Sequence, residues 1–416
     1  MKIKRFYHSP PSAYLSVKFT LVLNKLKKSA SKAIFFLILS LPISHAIAQR
    51  TEKIEYKDNV IYVGQVSGIS DLKKHGRGEL RWPDGSGYSG DWVNDERHGR
   101  GIYKFRSGNI YDGEWVKGKR HGAGTYTYAN GSIYKGEFAN NEFNGTGTYT
   151  LANGNLYIGE FADNKFNGEG FYTWRSGNEY IGEFVNGRRH GTGTWSSSNG
   201  EQYNGDWVND ERHGRGVYKF RSGSIYDGEW VKGKRHGAGT YTLSNGNLYE
   251  GEFADNKFNG KGFYKWQSGN EYFGEFVNDK RHGTGTWSGS NGEQYNGDWV
   301  NDERHGRGVY KFRSGSIYDG EWVKGKRHGT GALIFVDGSR YEGLFADGKA
   351  NGIGALKLPS GEEIIADFAS HKLREVLSVS GNGLAQKLRN AASIFQQGNL
   401  LDDQEYKLVK NFLLKQ

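Results

Sequence analysis

A Tyr-x-Gly-acid-aromatic cluster recurs along this 416-residue chain, its tyrosine at 88, 111, 134, 157, 180, 203, 226, 249, 272, 295, 318 and 341, a constant step of 23. A unit this short cannot bury a core alone, so the chain has to stack copies into a solenoid in which each copy touches mainly its neighbours. The period continues in worn form at both ends. Tyr62-Val63-Gly64-Gln65-Val66 precedes the first strict copy by 26 residues, and Ile364-Ile365-Ala366-Asp367-Phe368 follows the last with tyrosine and glycine lost. Atypical end copies are what capping repeats look like. A longer period is superposed: Glu201 to Gly239 is nearly restated at Glu293 to Gly331, a shift of 92 or four copies, as block duplication produces.

Within one copy, Gly101-Ile102-Tyr103-Lys104-Phe105 alternates apolar and polar, and the alternation resumes from Ile110 to Trp115 after the turn residues Arg106-Ser107-Gly108-Asn109. Period-two runs around a Gly/Asn turn predict a β-hairpin. Tyr103 and Phe105 then share a face, as do Tyr111, Gly113 and Trp115, while Lys104, Asp112 and Glu114 point the other way. Val116 to Gly122 reads as the connector to the next hairpin, its glycines allowing the chain to turn. Hairpins in series predict an all-β, twisted antiparallel meander. At two strands per copy and ~4.8 Å per strand, thirteen or fourteen copies span on the order of 130 Å.

These residues resemble the MORN repeat, the membrane occupation and recognition nexus motif. Its Tyr-x-Gly-Glu-aromatic pattern, with Gly-x-Gly about ten residues later, is matched by Tyr226-Asp227-Gly228-Glu229-Trp230 and Gly237-Ala238-Gly239. The resemblance spans roughly residues 56 to 368 and implies a fold more than an activity. MORN arrays bind acidic phospholipid or build protein assemblies, and an attached domain usually supplies any chemistry.

The ends differ from the array. After Phe368, Leu384, Leu388, Ala391, Ala392 and Phe395 fall on one helix face, and Asp402 with Glu405 predicts the start of a second helix. Residues 369–416 thus read as a short α-helical hairpin, and Leu388 to Leu414 resembles the SHOCT domain, which implies oligomerisation of a bacterial protein. At the other end, residues 1–32 carry eight basic residues and no acid, Ala33 to Leu41 is apolar, and Ala46-Ile47-Ala48 closes the run. That order reads as a secretory signal over residues 1–48, cut between Ala48 and Gln49, with an uncleaved inner-membrane anchor as the alternative. The array then occupies 49–368. An exported bacterial protein of this kind is periplasmic or associated with the cell envelope. The chain has no cysteine, which excludes disulfides and a lipoprotein anchor.

The leader also accounts for the charge. The formal charge is +10, but eight of 56 Lys and Arg lie before residue 33, leaving 48 against 46 acids after Ala48. A nearly neutral, interspersed surface is no footprint for nucleic acid. Nine of 12 histidines stand in His-Gly at one place in the repeat (75, 98, 121, 190, 213, 236, 282, 305 and 328). A catalytic histidine needs a unique partner and a pocket, so these read as turn residues; a metal row is the weaker alternative, interrupted where Phe-Asn replaces Arg-His at 143, 166 and 258. No catalytic, cofactor-binding or metal-ligating set stands out, and the Gly-x-Gly elements read as backbone geometry.

The aromatic face is the candidate binding surface, because a single-layer sheet cannot bury both faces and an open apolar groove usually binds something. Tyr111, Trp115, Tyr134, Phe138, Tyr226 and Trp230 represent that groove; the competing reading makes the same rings the core. The sequence therefore predicts a non-enzymatic scaffold of the cell envelope with unidentified protein partners, self-association through the C-terminal helices and no cofactor. A phospholipid-surface module is the alternative.

Overall fold

The computed structural model describes residues 50–359, 361, 363–369 and 372–380. These divide into two segments between Arg221 and Ser222. Each segment is an antiparallel meander in which a seven-residue strand alternates with a nine-residue strand, as in Ile110–Val116, Lys119–Thr127, Ile133–Ala139 and Glu142–Thr150. Apart from one 3-10 turn at Lys57–Asn59, the described residues contain no helix.

The strands extend further than alternation suggested. Only Lys117 and Gly118, at φ 51° and 74°, form the link after Ile110–Val116, and Lys119–Gly122 already belongs to the next strand. Two successive positive φ values define the tight hairpin turn whose twist suits its strands, and Asn-Asp, Asn-Asn and Asp-Asn pairs fill it elsewhere. The predicted seven-residue connector is therefore corrected to two residues, and the histidines lie in strands rather than turns.

Register explains how the longer strand fits the shorter one. Tyr111 faces Tyr126 and Gly113 faces Gly124, then the pairing jumps so that Glu114 faces His121 and Trp115 faces Arg120. This bulge puts the arginine on the aromatic face and the histidine on the outer face, and it recurs in other copies, as at Gly205/Asp206 and Gly297/Asp298. On the outer face one row crosses the first segment through the partners Asp112, Thr125, Lys135, Thr148, Ile158, Phe171, Ile181 and Thr194.

The end of the array also shifts. Glu363–Ala369 pairs with a further strand, Lys372–Ser380, so the helical reading of 369–416 is corrected over those residues. The β-branched and alternating run Val376-Leu377-Ser378-Val379 favours extended backbone, and pairing covers what would be an open sheet edge. The helices expected from Leu384 onward, the SHOCT-like segment and the Ala48-Gln49 cleavage site lie outside the described residues.

Candidate functional site

Each copy is organised around its tyrosine. Thirteen of these, from Tyr62 and Tyr88 through Tyr341, are buried to under 2% exposure although each segment is a single-layer meander. Paired glycines make this possible. A Cβ on Gly113 would stand 2.5 Å from the Tyr111 hydroxyl oxygen, and one on Gly124 2.6 Å from its ring, so the ring lies flat where two side chains are missing. The Tyr111 hydroxyl donates to the Glu114 carbonyl at 2.8 Å, and Trp115 Nε1 donates to the Gly101 carbonyl of the preceding copy at 3.0 Å. Burial pushes the Tyr62 phenol up to about 12 and those of Tyr111 and Tyr134 higher still.

A planar group closes the tyrosine from above. The Arg97 guanidinium lies 4.4 Å from the Trp115 ring and 5.0 Å from Tyr103, and its Nη2 donates to the Gly118 carbonyl at 2.9 Å. Arg120, Arg189, Arg235, Arg281 and Arg304 make the same bond to the turn of the next copy. Removal from water lowers the affinity of Arg97, Arg212, Arg304 and Arg327 for their protons. Where Phe replaces Arg, the ring stacks directly on tyrosine: Phe143 on Tyr134 at 3.8 Å, Phe166 on Tyr157 and Phe258 on Tyr249 at 3.9 Å.

The acid of the motif is a latch. Asp91 Oδ2 accepts from the Arg100 amide at 3.0 Å, Asp206 from Arg215 at 2.8 Å and Glu321 from Thr330 at 3.1 Å, each filling a backbone donor left unpaired by the bulge. A second latch ties copies together, with the Arg120 amide donating to Asn141 Oδ1 at 2.9 Å and the Phe143 amide to Asn164 Oδ1 at 2.8 Å. The sequence reading assigned these acids only to a charged face. Their fixed distance of nine residues from the amides they hold was the signal available.

The six residues proposed as a binding groove are core. Tyr111, Tyr134 and Tyr226 are fully buried, and Trp115, Phe138 and Trp230 are 2% exposed. Slot arginines, glycine pairs and neighbouring rings close the groove along them, so no ligand reaches these six. What stays partly open is the flank of the aromatic face, where a cleft of about 400 Å³ lies beside Trp287, Tyr310 and Lys324 in the second segment. Among the described residues, no group of three or more His, Asp or Glu is arranged to hold a metal ion.

Tandem hairpins whose glycines, tyrosine, acid and closing planar group recur at one period define a repeat-array protein. The chain belongs to the MORN repeat family, whose profile matches residues 73–87, 88–110 and then consecutive blocks of 23 through 341–363. No curated protein matches the chain. Among solved structures, it is similar to the TCP domain of SAS-4 from Drosophila melanogaster, at 14% identity over 36% of this chain and 83% of that one, TM-score 0.26. The TCP10 domain of Danio rerio CPAP, as its E1021V mutant, matches at 7% identity over 65% and 93%, TM-score 0.15. Virginiamycin B lyase from Staphylococcus aureus matches at 8% over 77% and 95%, TM-score 0.12. Likeness at these scores carries no argument about what this chain binds.

Proposed function

We propose that the chain is a non-enzymatic scaffold, exported to the envelope of a bacterial cell, whose array presents side chains to protein partners. One observation carries this reading. The inner face repeats the same tyrosine, paired glycines and closing planar group in copy after copy, whereas the outer row changes from Asp112 to Lys135, Ile158 and Asn204. A constant inside with a varied outside is how a solenoid offers a different contact at each step. Photo-crosslinking from Ile158 and from Phe273, an exposed residue at the same place in a later copy, in an envelope fraction tests it: a discrete protein adduct is expected. Lipid adducts alone favour the phospholipid reading, and intact Met1 on cytosolic protein overturns export.

The phospholipid reading draws on family precedent, but its basic groups have other work. The slot arginines stack between rings and donate to backbone carbonyls, which leaves them little to offer a headgroup. Self-association through 383–416 is part of the proposal; removing those residues is expected to lower the mass seen by light scattering while the β signal stays.

A further inference from the structure

The aromatic flank is uneven along the chain. The residue opening each long turn is Trp82, Phe105 and Tyr128 in the first copies, then Leu151, Trp174 and Ser197, and later Leu243 and Gly289. Over residues 82–149 turn residues and strand residues join into an unbroken rail. Trp82, Tyr103, Phe105, Tyr126, Tyr128 and Tyr149 follow one another with ring centroids 5.7, 4.5, 5.6, 4.7 and 6.1 Å apart. All but Tyr126 keep part of the ring at the surface. In the second segment the same positions bring Tyr264 beside Trp266 and Tyr310 beside Phe312.

The shape of the rail selects its occupant. Successive planes are inclined by 51°, 59°, 51°, 63° and 50°, so the rings form a saw-tooth of notches rather than a flat platform. A sugar stacks best on a flat aromatic face; a pyrrolidine ring fits a notch. Spacing agrees. Copies advance by two strands, ~9.6 Å, while a polyproline II helix returns to the same side every three residues, ~9.3 Å. Over three copies the mismatch is about 1 Å, small enough for one peptide to stay in step. Aromatic-lined grooves recognise this conformation because it is already extended and loses little entropy on binding. Charge narrows the sequence further, since Arg106 is exposed at one of the turns of the rail.

We propose that the rail from Trp82 to Tyr149 is a docking site for a protein segment in polyproline II conformation, with proline at every third residue and acidic or neutral residues between. This rests on the protein-scaffold reading and names the chemistry of one partner.

Fluorescence anisotropy on the full chain tests it with a labelled peptide carrying three Pro-x-x steps interspersed with Asp. Controls are the same composition with proline at every fourth residue, a chito-oligosaccharide and anionic vesicles. Phe105→Ser and Tyr128→Ser are informative variants, because Ser197 occupies the same place in another copy and the array accommodates it. The in-step peptide is expected to bind, and the double variant to weaken it about tenfold or more, the scale of losing an aromatic anchor, with an unchanged β signal. Phe312→Ser in the second segment should leave affinity unaltered. Equal binding of both peptides, indifference to the double variant, or preference for saccharide or vesicle overturns the inference. A chain that crosslinks a protein partner yet ignores the peptide keeps the scaffold reading and loses only this site; one that finds no protein at all loses both.

Discussion

Two kinds of copy share one tyrosine and close it differently. At Tyr111 the lid is the Arg120 guanidinium, 5.8 Å from the ring and bonded to the Asn141 carbonyl at 2.6 Å. At Tyr134 it is Phe143, stacked at 3.8 Å with planes 13° apart and touching Phe138 at 5.4 Å. The backbone register around the bulge hardly changes, since Trp115 faces Arg120 as Phe138 faces Phe143. The slot therefore requires a flat group of a given size. Charge is incidental to it: arginine enters as a plane that brings donors for the next turn, and phenylalanine enters as a plane with no desolvation cost.

The comparison breaks most readily by emptying the two slots. Phe143→Ala removes a buried ring from a fully packed stack and is expected to cost ~3–5 kcal/mol. Arg120→Ala, which loses stacking and one hydrogen bond at a wetter site, should cost about 1–2 kcal/mol. Urea unfolding followed by circular dichroism gives both values. Equal costs would show that the slots are not distinguished by burial.

A sharper test exchanges the lids. Arg120→Phe should change stability by less than about 1 kcal/mol, because the array already uses phenylalanine there and volume is nearly kept. Arg120→Lys, conservative in charge, should lose about as much as alanine, since a flexible ammonium neither stacks as a plane nor reaches in the same fork. The reverse order would make charge, not shape, the requirement.

Smaller effects should come from the acid latch, which both kinds of copy share. Glu137 Oε1 accepts from the Thr146 amide at 3.1 Å and from its hydroxyl at 2.6 Å. Glu137→Ala should cost about 1 kcal/mol. Glu137→Gln should be almost silent, because Gln65 performs the same service for the Arg77 amide at 2.8 Å in the first, worn copy.

The smallest effect is the response to acid. The Thr330 hydroxyl and amide hold Glu321 below the ordinary carboxyl range. A depressed carboxyl stabilises the fold above its unfolded value and stops doing so as pH falls through the folded one, so stability should decline toward acid in that window. Glu321→Gln should flatten the decline in a pH series of urea midpoints; an unchanged slope would remove this residue as its source.

The periodic core was legible because tyrosine and glycine hold one spacing along the whole array. Residues 372–380 were not, since the strand there has no tyrosine or paired glycine and is specified largely by the neighbour it pairs with, a tertiary effect that local pattern does not carry. The turn length was misjudged because Lys117 is an uncommon residue at positive φ, and no motif announces it. The lid was half visible: Arg-His giving way to Phe-Asn could be seen, but that Arg and Phe occupy one slot needs the tyrosine beneath them in three dimensions. The groove failed for the same reason, because the rings look exposed until the missing side chains of Gly113 and Gly124 are seen as the space they occupy.

The latches that reach 21 residues ahead, from Arg120 to Asn141 and from Phe143 to Asn164, have a consequence for heredity. A copy with Asn or Asp at this turn position offers its predecessor the same acceptor at the same place, so a gene that gains or loses a whole 69-base unit (three bases for each of 23 residues) yields a product in which a junction before such a copy finds that bond already provided. Near-identical tracts such as those encoding 201–239 and 293–331 are also where recombination misaligns. The length of this array is thus a trait on which selection can act in whole steps, with folding intact at each one.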